Sequence, residues 1–366
     1  MDWFWDKLLD VSIRLWIPLV VLYHVFTANL FLNVSAVEAT GLEKAANQAL
    51  VPFQYIFCGK SAVKNENESP DFAWSFEQRF EYQDAFWAKT IAAGLTLAPS
   101  TILGVCLKGL AFLDPEVRNR HDSMHACLVS TATRSNLEIY QSLGLLIGNP
   151  ELAELFVSEN YSRRPGDEMH LALEKEVLRD ISSLLNEANI PWWVDCGTCL
   201  GAYRYGGVIP WDFDIDLGLL LPDFHNAKRV FNQLDPTKYF VMDWSSRSEP
   251  NSYLKIFIYQ TKTMVDIFFF AIDPEDLRYV LSLDSNIFMP EWWKVYERRF
   301  TIPCAHSDVF PLKKGLFDGI SVFIPNGTKK YLQRYYGEDL SPVKIYDAET
   351  CCYEKDLTHP YWQEAK

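Results

Sequence analysis

Three aspartates alternate with three apolar residues in Asp212-Phe213-Asp214-Ile215-Asp216-Leu217. On a strand, residues two apart share a face and stand about 6.6 Å apart. The run therefore predicts a strand with three carboxylates on one side and Phe213, Ile215 and Leu217 in a core. Aligned acids repel one another, and a divalent cation relieves that repulsion. Oxygen ligands with no His beside them favour Mg²⁺ or Mn²⁺ over zinc. An EF-hand loop opens with the same alternation, but it needs Gly at position 6, where this chain has Leu217. Its twelfth position would be Asp223 rather than Glu. A solvated acidic edge is the plainer alternative.

The residues before the run add a second feature. Gly197-Thr198 follows the strand-like Trp192-Trp193-Val194. A glycine there lets backbone N–H groups approach a phosphate, and the threonine hydroxyl adds a hydrogen bond. Arg204 offers a planar fork for phosphate oxygens. Gly206-Gly207 turns the chain, and Pro210 leads into the acids. A phosphate cradle followed by a metal-binding strand is what a nucleotide-processing enzyme requires. A competing reading takes Cys196-Gly197-Thr198-Cys199 as a redox dithiol, or as half a zinc site completed by Cys304, Cys351 or Cys352. Thioredoxin-like centres usually place Trp directly before the first Cys, whereas Asp195 stands there in this chain.

Residues 197–218 resemble the signature of the LicD and fukutin group of the nucleotidyltransferase superfamily. The matching residues are Gly197-Thr198, Leu200-Gly201-Ala202-Tyr203-Arg204, Gly206-Gly207 and Ile209-Pro210-Trp211-Asp212, followed by Asp214 and Asp216. Val265-Asp266-Ile267-Phe268 resembles the strand bearing the superfamily's third acid. Asp308 to Lys313 and Pro325 to Gly337 resemble its closing elements, so the similarity runs from about residue 168 to 342. Phe213 departs from the pattern, because many members carry Asp there. The resemblance implies Asp214, Asp216 and Asp266 as metal ligands and catalytic acids, with Asp266 helping to activate the attacking hydroxyl. Asp212, Gly197, Thr198 and Arg204 are expected at the substrate, as are Lys255 and Lys313 on the phosphates. It also implies Mg²⁺ or Mn²⁺, a CDP-activated alcohol as donor and a glycan or glycolipid as acceptor.

The remainder of the chain divides in two. The polar, turn-rich stretch 159–167 reads as a boundary, separating residues 1–160 from a domain at 165–366. Beyond it, Val177, Leu178, Ile181, Leu184, Leu185 and Ala188 recur at helical spacing until Pro191. Strands are expected over 253–259 and 264–271, giving an α/β or α+β domain. The first 160 residues are expected to be mostly helical. Leu15–Leu32 and Thr90–Leu107 are uncharged runs of 18 residues, each either membrane-embedded or a buried soluble helix. Aromatic residues make up 15% of the chain, which suits an interfacial belt and a soluble core equally. A cleaved signal peptide is disfavoured, because Asp2, Asp6 and Asp10 outweigh Lys7 and Arg14.

Lys and Arg number 34 against 48 Asp and Glu, a net charge of −14 that repels phosphate polymers and argues against nucleic acid as a partner. The expectation is a cytoplasmic enzyme, membrane-associated through its N-terminal region, that moves a phospho-alcohol such as phosphocholine or ribitol phosphate from a CDP donor to a glycan hydroxyl. Its alternatives are nucleotidyl transfer to a small substrate, the Cys-x-x-Cys redox or zinc protein, and an inactive membrane-associated binding protein.

Overall fold

The computed structural model describes residues 39–58, 60–64, 74–78, 80, 84–128, 135–147, 163–245, 249, 251–280 and 291–364. The uncharged run at 15–32, residues 159–162 of the polar stretch and the sequence before residue 39 lie outside them. The chain forms two compact units, Met1–Ala132 and Thr133–Lys366. The division falls upstream of the polar stretch expected as a boundary. Tyr140 and Leu145 are buried with Trp193 and Phe270 in a core of the second unit.

In the first unit, α1 (Gly41–Ala49) starts from a capping box in which Thr40 and Glu43 satisfy each other's backbone N–H. A two-stranded antiparallel ribbon, β1 (Lys60–Lys64) and β2 (Trp74–Gln78), follows. Helix α2 (Phe86–Ala111) contains the second uncharged run and continues through Pro99. Gly104 lets the end of α1 approach, since a Cβ there would meet Leu50 Cγ at 2.5 Å. The helix is long and apolar enough to cross a membrane, with mean hydropathy 1.7 and 11% of its most apolar window buried. Trp87, Ile91, Leu95, Ile102 and Leu110 are exposed along it. Helix α3 (Pro115–Leu128) completes the unit, and Arg120 of α3 pairs with Glu43 of α1 at 2.5 Å.

The second unit begins with α4 (Leu137–Ser142) and α5 (Ala172–Glu187), the latter ending just before Pro191 as the periodicity predicts. Its sheet runs in the order β3 (Trp192–Val194), β4 (Ile215–Leu220), β7 (Met264–Ile272), β6 (Tyr253–Ile258), β5 (Tyr239–Asp243). Strands β4 and β7 are parallel, and their neighbours are antiparallel. The far half of β7 pairs instead with β8 (Asp276–Tyr279), which is followed by β9 (Cys304–Ala305). Helix α6 (Cys196–Tyr205) links β3 to β4, and α7 (Phe224–Phe231) follows β4. The rest is a hairpin, β10 (Lys313–Phe317) with β11 (Ile320–Ile324), then α8 (Thr328–Tyr336) and a second hairpin, β12 (Lys344–Asp347) with β13 (Cys352–Lys355). This is the mixed helix-and-sheet class expected.

Both faces of the sheet are covered. Ile215, Leu217 and Leu219 of β4 join Val265, Ile267 and Phe269 of β7 in a core with Val177, Ile181 and Leu185 of α5. The opposite face carries Leu220 and Phe270 against Trp193, Tyr331 and Phe310. Asp216 and Asp266 belong by alternation to this second face.

One expectation needs correction here. The strand starts at Ile215, so Asp212, Phe213 and Asp214 precede it and do not alternate with it. Pro210 and a turn that returns Asp212 N–H to the Ile209 carbonyl delay the strand. Phe213 is 73% exposed rather than buried in a core.

Gly218 faces Trp193 across the β3–β4 ladder, and a Cβ on it would lie 2.4 Å from the indole. That indole is fully buried and donates Nε1–H to Tyr331 OH at 3.2 Å, so it has nowhere to move. Gly218→Ala should therefore destabilise the second unit by about 1–3 kcal/mol. Calorimetry of the full chain should show a melting midpoint several degrees lower, and an unchanged midpoint would contradict the close approach.

Candidate functional site

The ladder register builds the site. Asp216 on β4 stands directly opposite Asp266 on β7, and Asp266 stands opposite Lys255 on β6. One row of the second face thus reads Lys255, Asp266, Asp216. Asp214, two residues before Asp216, brings a third carboxylate. Ligating oxygens of Asp214, Asp216 and Asp266 all lie within 4.8 Å of one another, and among the described residues this is the one such group of three or more His, Cys, Asp or Glu. Asp216 and Asp266 are both buried.

Burial is the main force on Asp214 and Asp216, and it favours their neutral forms. The Asp216 carboxyl is pushed well above the usual range by burial, and then by Asp214 and Asp266. The Asp214 carboxyl is pushed well up by burial and by Asp212 and Asp266, with Lys255 opposing. Asp212 is raised by burial, against the Phe213 N–H and a hydrogen bond shared with the Asp214 carboxyl. Lys255 Nζ is 2.8 Å from Asp266 Oδ1. The ammonium also sits over two rings, 4.9 Å from the Tyr253 centroid and 5.6 Å from that of Trp244. Lys255 is therefore held within the row. The three carboxylates form a compact, oxygen-only set whose repulsion the single ammonium of Lys255 offsets only in part, which fits a hard divalent cation such as Mg²⁺ or Mn²⁺.

The start of α6 packs against this cluster. Asp195 caps the helix by accepting Cys196 N–H at 2.8 Å. A Cβ on Gly197 would lie 2.5 Å from Asp212 Oδ2, so the glycine is what admits that carboxylate to the helix end. Asp212 is fixed further by its carbonyl, 2.5 Å from His170 Nε2.

Three residues expected at the substrate, Thr198, Arg204 and Lys313, bond main chain of the second unit. Thr198 is buried, and its Oγ1 accepts Asp216 N–H at 2.8 Å, so the hydroxyl anchors the strand. Arg204 is buried too, and its guanidinium donates to the carbonyls of Leu340 at 2.5 Å and Ser341 at 2.7 Å. Lys313 donates to the Asn326 carbonyl at 2.9 Å. Gly206 ends α6 at φ 63°, and Gly207 approaches Asp318, which pairs with Arg163 and Lys175 at 2.6 and 2.9 Å.

The dithiol reading also meets a physical obstacle. Cys196 and Cys199 are free, and burial pushes both thiols well up; nearby Asp195, Asp216 and Asp214 add to the effect at Cys196. A thiolate nucleophile needs the opposite environment. Cys199 packs in the first core, Cys304 is buried beside the Leu277 carbonyl, and Cys351 and Cys352 are exposed on or beside β13.

Sequence reasoning missed Asp195, Tyr253, Trp244 and Tyr331. Tyr253 was accessible in principle, since it lies two residues before Lys255 on the same face. Tyr331 reaches Asp195 across 136 residues at 2.8 Å, a pairing that no local pattern encodes.

Residues 189–327 match the family described as LicD/FKTN/FKRP, nucleotidyltransferase domain. Over 163 residues the chain is 29% identical to an uncharacterized protein, RP689, of Rickettsia prowazekii, covering 44% of this chain and 53% of that one. It is 27% identical over 176 residues to the mouse ribitol-5-phosphate transferase FKTN, covering 47% and 34%. A shorter segment of 56 residues is 39% identical to the human ribitol 5-phosphate transferase FKRP, covering 15% and 11%. The chain spans about half the length, or less, of the curated relatives it matches. The match runs from β3 to the end of β11, so it is this part of the second unit that is similar to the nucleotidyltransferase domain of the LicD/fukutin-like family.

Proposed function

We propose that the second unit is a divalent-cation-dependent phosphotransferase that moves a phospho-alcohol from a CDP-activated donor to a glycan hydroxyl. The observation that carries this reading is the row Lys255, Asp266, Asp216, with Asp214 closing three carboxylates into 4.8 Å. Asp214, Asp216 and Asp266 would hold Mg²⁺ or Mn²⁺, which when bound would neutralise the donor's phosphates. Asp266 receives the acceptor hydroxyl and takes its proton as the new P–O bond forms. The bond to CMP breaks, and CMP leaves with the bridging oxygen. Lys255, steadied by two rings, keeps a positive charge beside the transferred group. Asp212, at the α6 N-terminus, orients the donor from the entrance. Ribitol phosphate is the favoured cargo, because the named relatives are ribitol phosphate transferases. Nucleotidyl transfer would use the same acids, and analysis of the released product distinguishes them: CMP for the first, pyrophosphate for the second.

Asp214→Asn and Asp216→Asn should each lower kcat about 10³-fold, roughly 4 kcal/mol of transition-state stabilisation. Asp266→Asn should be as severe in turnover and milder in donor affinity. Paired measurement of donor Kd and turnover checks both statements. Full activity in excess EDTA, or wild-type turnover of folded Asp214→Asn and Asp216→Asn, would sink the assignment.

Stability should carry the same signature. Raised carboxyl pKa values mean that the folded chain holds protons which the unfolded chain has released above its ordinary value of 3.8. Stability of the metal-free protein from this source is therefore present at low pH and lost as pH rises through the raised values. In EDTA the melting midpoint should fall as pH is raised above the ordinary carboxyl value of 3.8. Asp214→Asn should flatten that fall, and Mn²⁺ should reverse it for the wild type alone. A pH-independent difference between wild type and Asp214→Asn would contradict the account.

We further propose that α2 holds the protein at a membrane, with the second unit in the cytoplasm. At 1.5 Å per residue its 26 residues reach about 39 Å, beyond the roughly 30 Å hydrocarbon thickness. Full-length protein should sediment with membranes and be released by detergent but not by high salt. Recovery in the detergent-free supernatant after ultracentrifugation would overturn this.

A further inference from the structure

Asp195 is fully buried, and its two oxygens are treated differently. Oδ1 accepts from Cys196 N–H and from Tyr331 OH, each at 2.8 Å, whereas Oδ2 has no hydrogen-bond partner among the described residues. Tyr331, on α8, is itself buried and accepts Trp193 Nε1–H from β3 at 3.2 Å. Arg334, one turn further along α8, lies over the Tyr331 ring at 4.5 Å and supplies positive charge near the carboxylate. A buried carboxylate with an unmade bond is expensive to keep, so its geometry must serve something that an apolar residue would not.

What it serves is Asp216. The Asp195 N–H donates to the Asp216 carbonyl at 3.0 Å, and Thr198, in the helix turn that Asp195 caps, accepts Asp216 N–H at 2.8 Å. Both backbone groups of Asp216 are thus clamped by the first turn of α6. That turn is fixed from below by the Tyr331 hydroxyl.

We propose that Tyr331 and Asp195 are positioning residues: a buried brace from α8 through the α6 cap that sets the direction of the Asp216 carboxylate, and so the affinity of the acidic cluster for a divalent cation. The inference rests on the metal reading above. Neighbours of metal ligands commonly tune affinity by 10–100-fold without touching the ion.

The test uses Mn²⁺ alone, its binding to full-length protein read by calorimetry or by electron paramagnetic resonance of the free ion. Tyr140→Phe is the control, because Tyr140 OH donates at 2.6 Å to the buried Asp223, which follows the end of β4 opposite to the Asp216 end. Each Tyr→Phe change removes one buried hydroxyl–carboxylate bond. Tyr331→Phe should weaken Mn²⁺ about tenfold or more, and Tyr140→Phe should leave it within about twofold. Thr198→Val should weaken Mn²⁺ like Tyr331→Phe, and Thr198→Ser should preserve wild-type affinity. Equal Mn²⁺ affinity in Tyr331→Phe and wild type overturns the brace. If Tyr331→Phe does not fold, equal affinity in Thr198→Val and Thr198→Ser overturns it instead. A wild-type protein that binds no Mn²⁺ defeats the metal reading itself, a result distinct from either.

Discussion

Like charge held out of water is the constraint on which the second unit depends. Asp214, Asp216 and Asp266 converge within 4.8 Å, and burial is the largest influence on the first two. At about 4 Å two unit charges repel by some 4 kcal/mol at an effective dielectric of 20. Such a cluster does not collapse onto itself; the surrounding backbone must hold it open. Parallel pairing of β4 with β7 does this for two of the acids, because ladder register sets Asp216 beside Asp266 independently of side-chain attraction. Lys255 enters the row by the same means, from the antiparallel neighbour β6.

The glycines and buried polar groups around the row follow from that need for rigidity. Gly197 admits Asp212 to the end of α6, and Gly218 admits the Trp193 indole behind Asp216. Gly207 lets Asp318 reach in with its two cationic partners and accept Val208 N–H at 3.1 Å. In each case the missing Cβ is replaced by a polar or aromatic group fixed by its own hydrogen bonds or ion pairs. Arg204 closes the other end of α6 by bonding the carbonyls at 340 and 341. The Gly, Thr, Arg and Asp of residues 197–218 thus have mechanical duties in this chain.

This explains what the sequence made legible. Asp214 and Asp216 were readable because their spacing is local, and so were α5 and the strands at 253–258 and 264–272, whereas Asp266 was reached only through the family resemblance. The duties of Thr198, Arg204 and Lys313 were not, because a hydroxyl or guanidinium suited to phosphate is equally suited to a main-chain carbonyl or N–H. Only the distant partner decides: Leu340 lies 136 residues from Arg204, and Asp216 lies 18 from Thr198. Tyr331 was hidden for the same reason. In the first unit, the ribbon of β1 and β2 was missed where mostly helical structure was expected.

Phe213 shows how a pattern that holds for part of a segment misleads beyond it. Alternation is a property of a strand, and the strand begins two residues after Phe213. Before it, the chain is still turning out of Pro210, with Asp212 N–H tied to Ile209 and Phe213 N–H 3.1 Å from Asp212 Oδ1. The ring consequently stands in solvent between two acids that turn inward. Were Asp to occupy this position, as in many proteins that the motif resembles, its charge would be largely hydrated and would add little to the repulsion that Asp214 and Asp216 already bear. The residue is thus free to vary without disturbing the row, because the row is fixed by register and by the first turn of α6 rather than by the loop that precedes it.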